Sequence, residues 1–500
     1  MSGSLVAGMD TLAAQPPAPS RPPASWPARL LADPAHTPAT LLYLTLAAAV
    51  GGIAVALAGL DALFICVALL ACVFIALDFR IGVVLLILLM PVSASALFPH
   101  AIAGITGLNP LNLLLLGTLG ATLVHRALAP PAAPLVPAPL FWRYLLPITL
   151  AALVGSRHVG DIPAYFQAAG SISFNSAGSY LRDMLIKPLF MVLFAVLVGA
   201  ALVRTRRPEN FLWPMLLSIW AMGLLTIVFV FLSGASFSQL SSSEAREFFS
   251  PLGMHANDLG RCYAIAYALL LFTFADCDDH RLRVVLLATM GMVVLALVMT
   301  FSRGAFLGFA VVNVLFLISR RHILALVAGT LMLAGLVLLL PDAVFARLAA
   351  GWHGGLNAIS AGRIDYIWRP LLPEVWANPV FGNGLGAMLW SPAMRGGGVL
   401  QVTHPHNAYL RAVLDMGFVG LILLLAYFAH LWRGFRRLAR DPAVDPLRRG
   451  FFAGAAVGLV AFLATATVGS SLTPVPEQNF LWFAVGMMYG ELARRREKTP

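Results

Sequence analysis

Runs of about 20 apolar residues, each long enough to cross roughly 30 Å of hydrocarbon, recur from residue 41 to residue 493. We read fourteen of them, near 41–60, 62–78, 81–98, 108–124, 142–156, 184–203, 211–232, 257–275, 284–301, 304–319, 322–340, 407–432, 451–469 and 478–493. A chain that repeats such runs is committed to an all-α, polytopic integral membrane fold of about 14 transmembrane helices. Composition agrees: 60% of the residues are hydrophobic and 11% charged, against about 45–50% and about 25% in soluble domains.

Residues 1–40 stand apart. Pro16, Pro17, Pro22, Pro23, Pro27, Pro34 and Pro38 lie among Ala and Ser with no apolar period, a composition expected to stay disordered. No cleavable signal peptide is legible near Met1, so the first span would act as the uncleaved signal. The cysteines Cys66, Cys72, Cys262 and Cys277 fall in or beside apolar runs and indicate no disulfide framework. A net charge of +11 would suggest nucleic acid in a soluble protein. In a membrane protein it reports topology instead, and no nucleic-acid partner is expected.

With both termini in the cytoplasm, the arginine clusters 204–207, 433–449 and 494–498 all fall inside, as the positive-inside rule asks. Residues 341–406 then form a large periplasmic loop. Eleven basic residues break the rule: Arg157, Arg182, Lys187, Arg246, Arg261, Arg303, Arg347, Arg363, Arg369, Arg395 and Arg411. Any one of them can snorkel to the interface. As a set they form planar charged forks suited to phosphate oxygens at the outer ends of helices.

The polar chemistry converges on His404-Pro405-His406-Asn407-Ala408-Tyr409, where the loop meets an apolar helix. Ionisable groups at a membrane boundary are costly and usually functional, and imidazole suits proton transfer near neutral pH. His406, Asn407, Gly417 and Gly420 spell His-Asn, nine residues, Gly-x-x-Gly. Further upstream, Ser302-Arg303-Gly304-Ala305-Phe306-Leu307 holds Arg-x-x-x-Leu. Arg363 precedes Asn378-Pro379 and the Gly-x-Gly-x-Gly turn of Gly382, Gly384 and Gly386, and His255-Ala256-Asn257 opens the helix of Arg261. As an ordered set over roughly 240–425, these pieces resemble the O-antigen ligase and polysaccharide polymerase superfamily. One departure is Ala256, where that family usually has Pro before the Asn.

The resemblance implies a membrane glycosyltransferase of the GT-C type in the bacterial inner membrane, with its active face in the periplasm. It implies en bloc transfer of a glycan from undecaprenyl diphosphate to a hydroxyl of lipid A-core or of a lipid-linked repeat, with inversion. No cofactor and no metal are expected, because arginines can neutralise the departing diphosphate. His406, Arg303 and Arg363 are the expected catalytic residues. Arg261, Arg182, Arg369, His404, Asn407 and Tyr409 are the expected donor-binding ones.

Blander readings stand beside these. His404 can bond backbone or water, Asn407 can cap its helix, and Tyr409 can be an interfacial tyrosine. The Gly-rich segment can approach a phosphate or shape the loop as a tight turn. A metal at His404 and His406 would need Asp365 or Glu374 to complete it. Fourteen spans also suit a transporter or flippase for lipid-linked saccharides. Such carriers tend to show repeats and midplane carboxylates; no convincing repeat is legible here, and the helix interiors are almost free of Asp and Glu. A ligase and a polymerase differ in their acceptor, and the extra spans lean slightly to an exopolysaccharide polymerase. The short segment after the last span argues against the protein O-glycosyltransferase branch.

Overall fold

The computed structural model describes residues 37–93, 109–128, 134–236, 247–320, 354–397 and 402–498, with isolated positions between these stretches. The expected span 322–340, most of the expected disordered tail, Arg246 and Arg347 lie outside the described residues. The chain divides into residues 1–66 and 67–500. Helix α1 (Thr37–Leu77) starts inside the stretch read as tail, and it is kinked at Gly59, whose φ is 67°.

The second unit is a helical bundle. It contains α2 (Phe79–Leu89), α3 (Pro110–Leu128), α4 (Ala138–Asp161), α5 (Ala177–Val203), α6 (Pro208–Ser233), α7 (Ala256–Ala275), α8 (His280–Met299), α9 (Arg303–Arg320), α10 (Arg369–Ala377), α11 (Ala408–Arg440), α12 (Pro446–Thr465) and α13 (Asn479–Lys498). A hairpin of Ala101–Ile102 and Ile105–Thr106 is the one sheet among the described residues.

Eight helices among the described residues are long and apolar enough to cross a membrane: α3 to α8, α11 and α12. The other expected runs fare differently. Those near 41–60 and 62–78 merge into kinked α1, while α2 is 11 residues long and the apolar part of α9 is too short to qualify. Helix α13 is buried along Phe480–Met488 but ends in Arg494, Arg495 and Arg496.

Small residues let the central helices touch. A Cβ on Gly454 of α12 would sit 2.5 Å from the Ala268 carbonyl of α7, and one on Gly450 would sit 2.5 Å from that of Phe272. Close backbone approach of this kind is how membrane helices gain dispersion contact where burial from water cannot drive them together. Three turns widen to five-residue spacing, at Phe141–Leu145, Arg182–Ile186 and Ile364–Trp368. Each is followed two residues on by a proline (Pro147, Pro188, Pro370), which lacks an N–H and crowds the carbonyl four residues back.

Charge is sorted between the bundle's ends. At one end Arg448 pairs with Glu491 at 2.6 Å, Arg495 pairs with Asp441, and Arg80 donates to the Arg204 carbonyl at 3.3 Å. The other end carries the histidine segment.

Candidate active site

Three chain reversals build the histidine end. Among the described residues, Phe301 (φ 48°), Ala361 (φ 55°) and His406 (φ 51°) are the non-glycine residues with positive φ. Each costs of order 1 kcal/mol in this left-handed region. Phe301 follows α8 and Ala361 follows the short helix Gly355–Ile359, positions where glycine is the usual helix stop. Arg303 and Arg363 come two residues after them, and His406 is itself the third. Backbone strain of this kind tends to persist where surrounding structure holds a functional residue in place.

His406 is fixed from both sides. Asn407 caps α11, its Oδ1 accepting the N–H groups of Tyr409 and Leu410 at 3.1 Å each. Upstream, Trp368 Nε1 donates to the Pro405 carbonyl at 2.8 Å, tying the segment to the widened turn that follows Arg363. The two imidazoles lie edge to face with centroids 4.1 Å apart. His404 Nδ1 accepts the backbone N–H of His406 at 3.2 Å. Burial, then the positive charge of His406, Arg411, Arg261 and Arg363, holds the His404 imidazole well below the ordinary histidine range. A neutral ring that accepts at Nδ1 carries its proton on Nε2. In that tautomer the free N–H of His404 is at Nε2.

The same neighbours define the cationic environment. Arg261, Arg363 and Arg411 all act on His404, and the turn into α9 lies alongside: a Cβ on Gly304 would sit 4.0 Å from Arg261 Nη1. Asn257 and Ser302, from two separate motif pieces, are joined by a 2.8 Å hydrogen bond. Arg261 is 3% exposed and forked onto carboxylates, with Nη2 at 2.7 Å from Glu477 and 2.5 Å from Asp258. It ties α7 to the turn before α13, and breaking such a buried pair costs about 3–5 kcal/mol. Arg411 Nη1 donates to the Ser470 carbonyl at 3.1 Å.

Other expected site residues are engaged elsewhere. Arg182 bonds its neighbour Asp183 at 3.0 and 3.2 Å. Arg369 is 73% exposed and pairs with Asp365 at 3.0 Å. Neither is among the principal charges acting on His404. Tyr409 Oη donates to the Leu463 carbonyl of α12 at 2.6 Å, an anchor for the start of α11.

The Gly-rich turn is a docking element. Helix α11 kinks at Gly417 (φ 65°, ψ −173°), and there Phe418 and Val419 donate to the carbonyls of Pro379 and Val380 at 2.7 and 3.2 Å. A Cβ on Gly417 would collide with the Val380 carbonyl. Asp415, 2% exposed, accepts the N–H groups of Gly386 and Ala387 at 3.0 Å each, and Leu385 donates to the Ala151 carbonyl at 2.9 Å. The amides a phosphate would need are thus already bonded, and the turn shapes the loop. Asp415 also holds Arg411, at 3.4 Å.

Arg303, Arg363, His404, His406 and the Gly417 kink all fall within residues 286–425, which match the family model of O-antigen ligase. Over those residues the chain is similar to O-antigen ligase. It is a multi-pass membrane protein. No curated protein matches the chain. The matched stretch begins within α8, so Arg261 and Arg182 lie outside it.

Sequence reasoning missed three carboxylates that hold arginines at this end: Asp415 on Arg411, and Glu477 and Asp258 on Arg261. Asp415 had a signal, a carboxylate four residues after Arg411 in an apolar helix, where an intramembrane charge calls for a partner. Among the described residues no three His, Cys, Asp or Glu side chains group as metal ligands would.

Proposed function

We propose that the protein transfers a glycan en bloc from undecaprenyl diphosphate to an acceptor hydroxyl, at the periplasmic face of the bacterial inner membrane. The observation that carries this reading is the His404–His406 pair, which leads into the helix whose first turn holds Arg411 and is tied by the Trp368–Pro405 hydrogen bond to the turn that follows Arg363. Cations fixed by protein carboxylates and carbonyls are preorganised for the charge that develops on a departing diphosphate, and need no reorganisation as it forms. His404 Nδ1 is taken up by the His406 backbone N–H, and His406 is the imidazole we assign to accept or orient the acceptor hydroxyl proton. Attack opposite the diphosphate inverts the anomeric centre. Arginine in place of a metal makes the reaction metal-independent. The acceptor is lipid A-core for a ligase, or a lipid-linked repeat for an O-antigen or exopolysaccharide polymerase.

The direct test is replacement of Arg303 and Arg363 by Ala, singly, with transfer assayed on membranes holding equal protein. Each variant is expected to lose transfer, and Lys to restore only part of it, because a point charge does not reproduce a fork. Full activity in both Ala variants would overturn the assignment.

A further inference from the structure

The segment that carries Arg363 ends in an apolar edge. Ile367, Leu371 and Val375, at helical spacing through the widened turn and α10, are buried in one cluster. The exposed side changes character along its length. It opens with the Asp365–Arg369 pair and closes with Leu372 and Trp376, the latter 67% exposed. The Gly-rich turn extends the apolar part with Val380 and Phe381, the latter 76% exposed. Large apolar side chains gathered in this way mark a surface made for contact. Two contacts fix the depth of the edge. Trp368 bonds the Pro405 carbonyl at 2.8 Å, just before α11 begins. Eight residues on, the Trp376 ring lies 6.1 Å, centroid to centroid, from that of Phe418, and Phe418 and Val419 bond the carbonyls of Pro379 and Val380. Helix α10 therefore descends beside the first turns of α11 to its kink. From Gly417 to Arg433, the first Lys, Arg, Asp or Glu after Asp415, α11 covers about 24 Å at ~1.5 Å per residue. That is less than the roughly 30 Å of hydrocarbon, so the kink and the turn docked on it lie within it. The spans on either side agree. Val419 and Ile422 of α11 are exposed, as are Leu150 and Leu153 of α4, whose Ala151 holds the other side of the turn.

We propose that the edge formed by Leu372, Trp376, Val380 and Phe381 is immersed in the lipid leaflet at the histidine end, so that this part of the loop rests in the membrane. The edge continues the lipid-facing surface of α11 through the Trp376–Phe418 contact. An indole at this depth is favoured, and an apolar face beside an exposed ion pair is the arrangement of an interfacial amphipathic helix. Arg363 and Trp368 belong to the same element, so its anchorage sets their height against the headgroups and, through Pro405, that of the histidine segment. The inference requires only that the chain spans a membrane. It depends neither on glycosyl transfer nor on which way the chain is oriented.

Spin labels in the full-length protein test this. Leu372→Cys, Trp376→Cys, Val380→Cys, Phe381→Cys and Arg369→Cys are made singly, with Cys66, Cys72, Cys262 and Cys277 replaced by Ser, and each carries a nitroxide in phosphatidylcholine nanodiscs. Collision with oxygen, which concentrates in hydrocarbon, is compared with collision with a water-soluble nickel chelate. Oxygen is expected to dominate at the four apolar positions, and the nickel-to-oxygen ratio to be severalfold higher at Arg369→Cys. The four positions are exposed and read independently, so a single variant that fails to fold leaves the others decisive. Nickel dominating at Trp376→Cys and Phe381→Cys would place the edge in water. Shielding of both labels from both reagents would mean that protein covers it, from a second copy or another segment of the chain. Either result overturns the proposal.

Discussion

His404 and His406 are two residues apart yet chemically distinct, because one backbone hydrogen bond fixes the tautomer of the first. Loss of a general base removes an interaction made mainly in the transition state, so His406→Ala should lower turnover by about 10²–10⁴-fold while donor binding survives. His404→Gln should cost less in turnover and instead change the pH dependence of stability. The His404 pKa is depressed by folding. The unfolded chain therefore binds more protons below the ordinary value of about 6.5, and stability falls as pH drops through that window. Thermal melts in detergent should show a flatter acid limb in His404→Gln. An unchanged limb, or loss of turnover confined to His404→Gln, would reverse the roles. Sequence could rank these two histidines by motif alone. The bond that separates them depends on the left-handed turn at His406, for which its residue type gives no special signal.

The decisive element is the junction of the Gly-rich turn with the kink of α11. Its glycines were legible as turn formers. Their purpose was not, because Asp415, which satisfies the amides of Gly384 and Gly386, lies far along the chain. Asp415 holds both the turn and Arg411, so Asp415→Ala should destabilise the protein by about 3–5 kcal/mol, the usual cost of orphaning a buried charge. Gly417→Ala meets both a positive φ and the Val380 carbonyl, and should be at least as disruptive. Urea or thermal unfolding in detergent measures both, and near-wild-type stability in either variant would mean the junction is dispensable. The prolines that widen three helical turns were also present in sequence, but whether a proline bends a helix or ends it depends on the packing around it.

At the scale of the molecule, apolar runs and arginine clusters located most helices and grouped the basic ends correctly, because both effects act locally along the chain. Number of spans is harder to read, since α2 and α9 are apolar yet short and α13 is buried yet charged at its end. The sidedness we propose from the arginines is open to labelling. In a background with Cys66, Cys72, Cys262 and Cys277 replaced by Ser, an impermeant maleimide should label Leu356→Cys from the periplasm and Ala443→Cys only after lysis. The reverse pattern would remove donor access to the histidine end. The central claim is metal-free transfer from a diphosphate carrier at that end. Its most direct measurement is a reconstituted reaction of the purified protein with undecaprenyl-diphosphate-linked glycan and acceptor in excess EDTA, following released undecaprenyl diphosphate and the anomeric configuration of the product. The account predicts one carrier released per glycan transferred, an inverted linkage, and undiminished rate in EDTA. A retained linkage, or activity lost in EDTA and restored by Mg²⁺ or Mn²⁺, would contradict it.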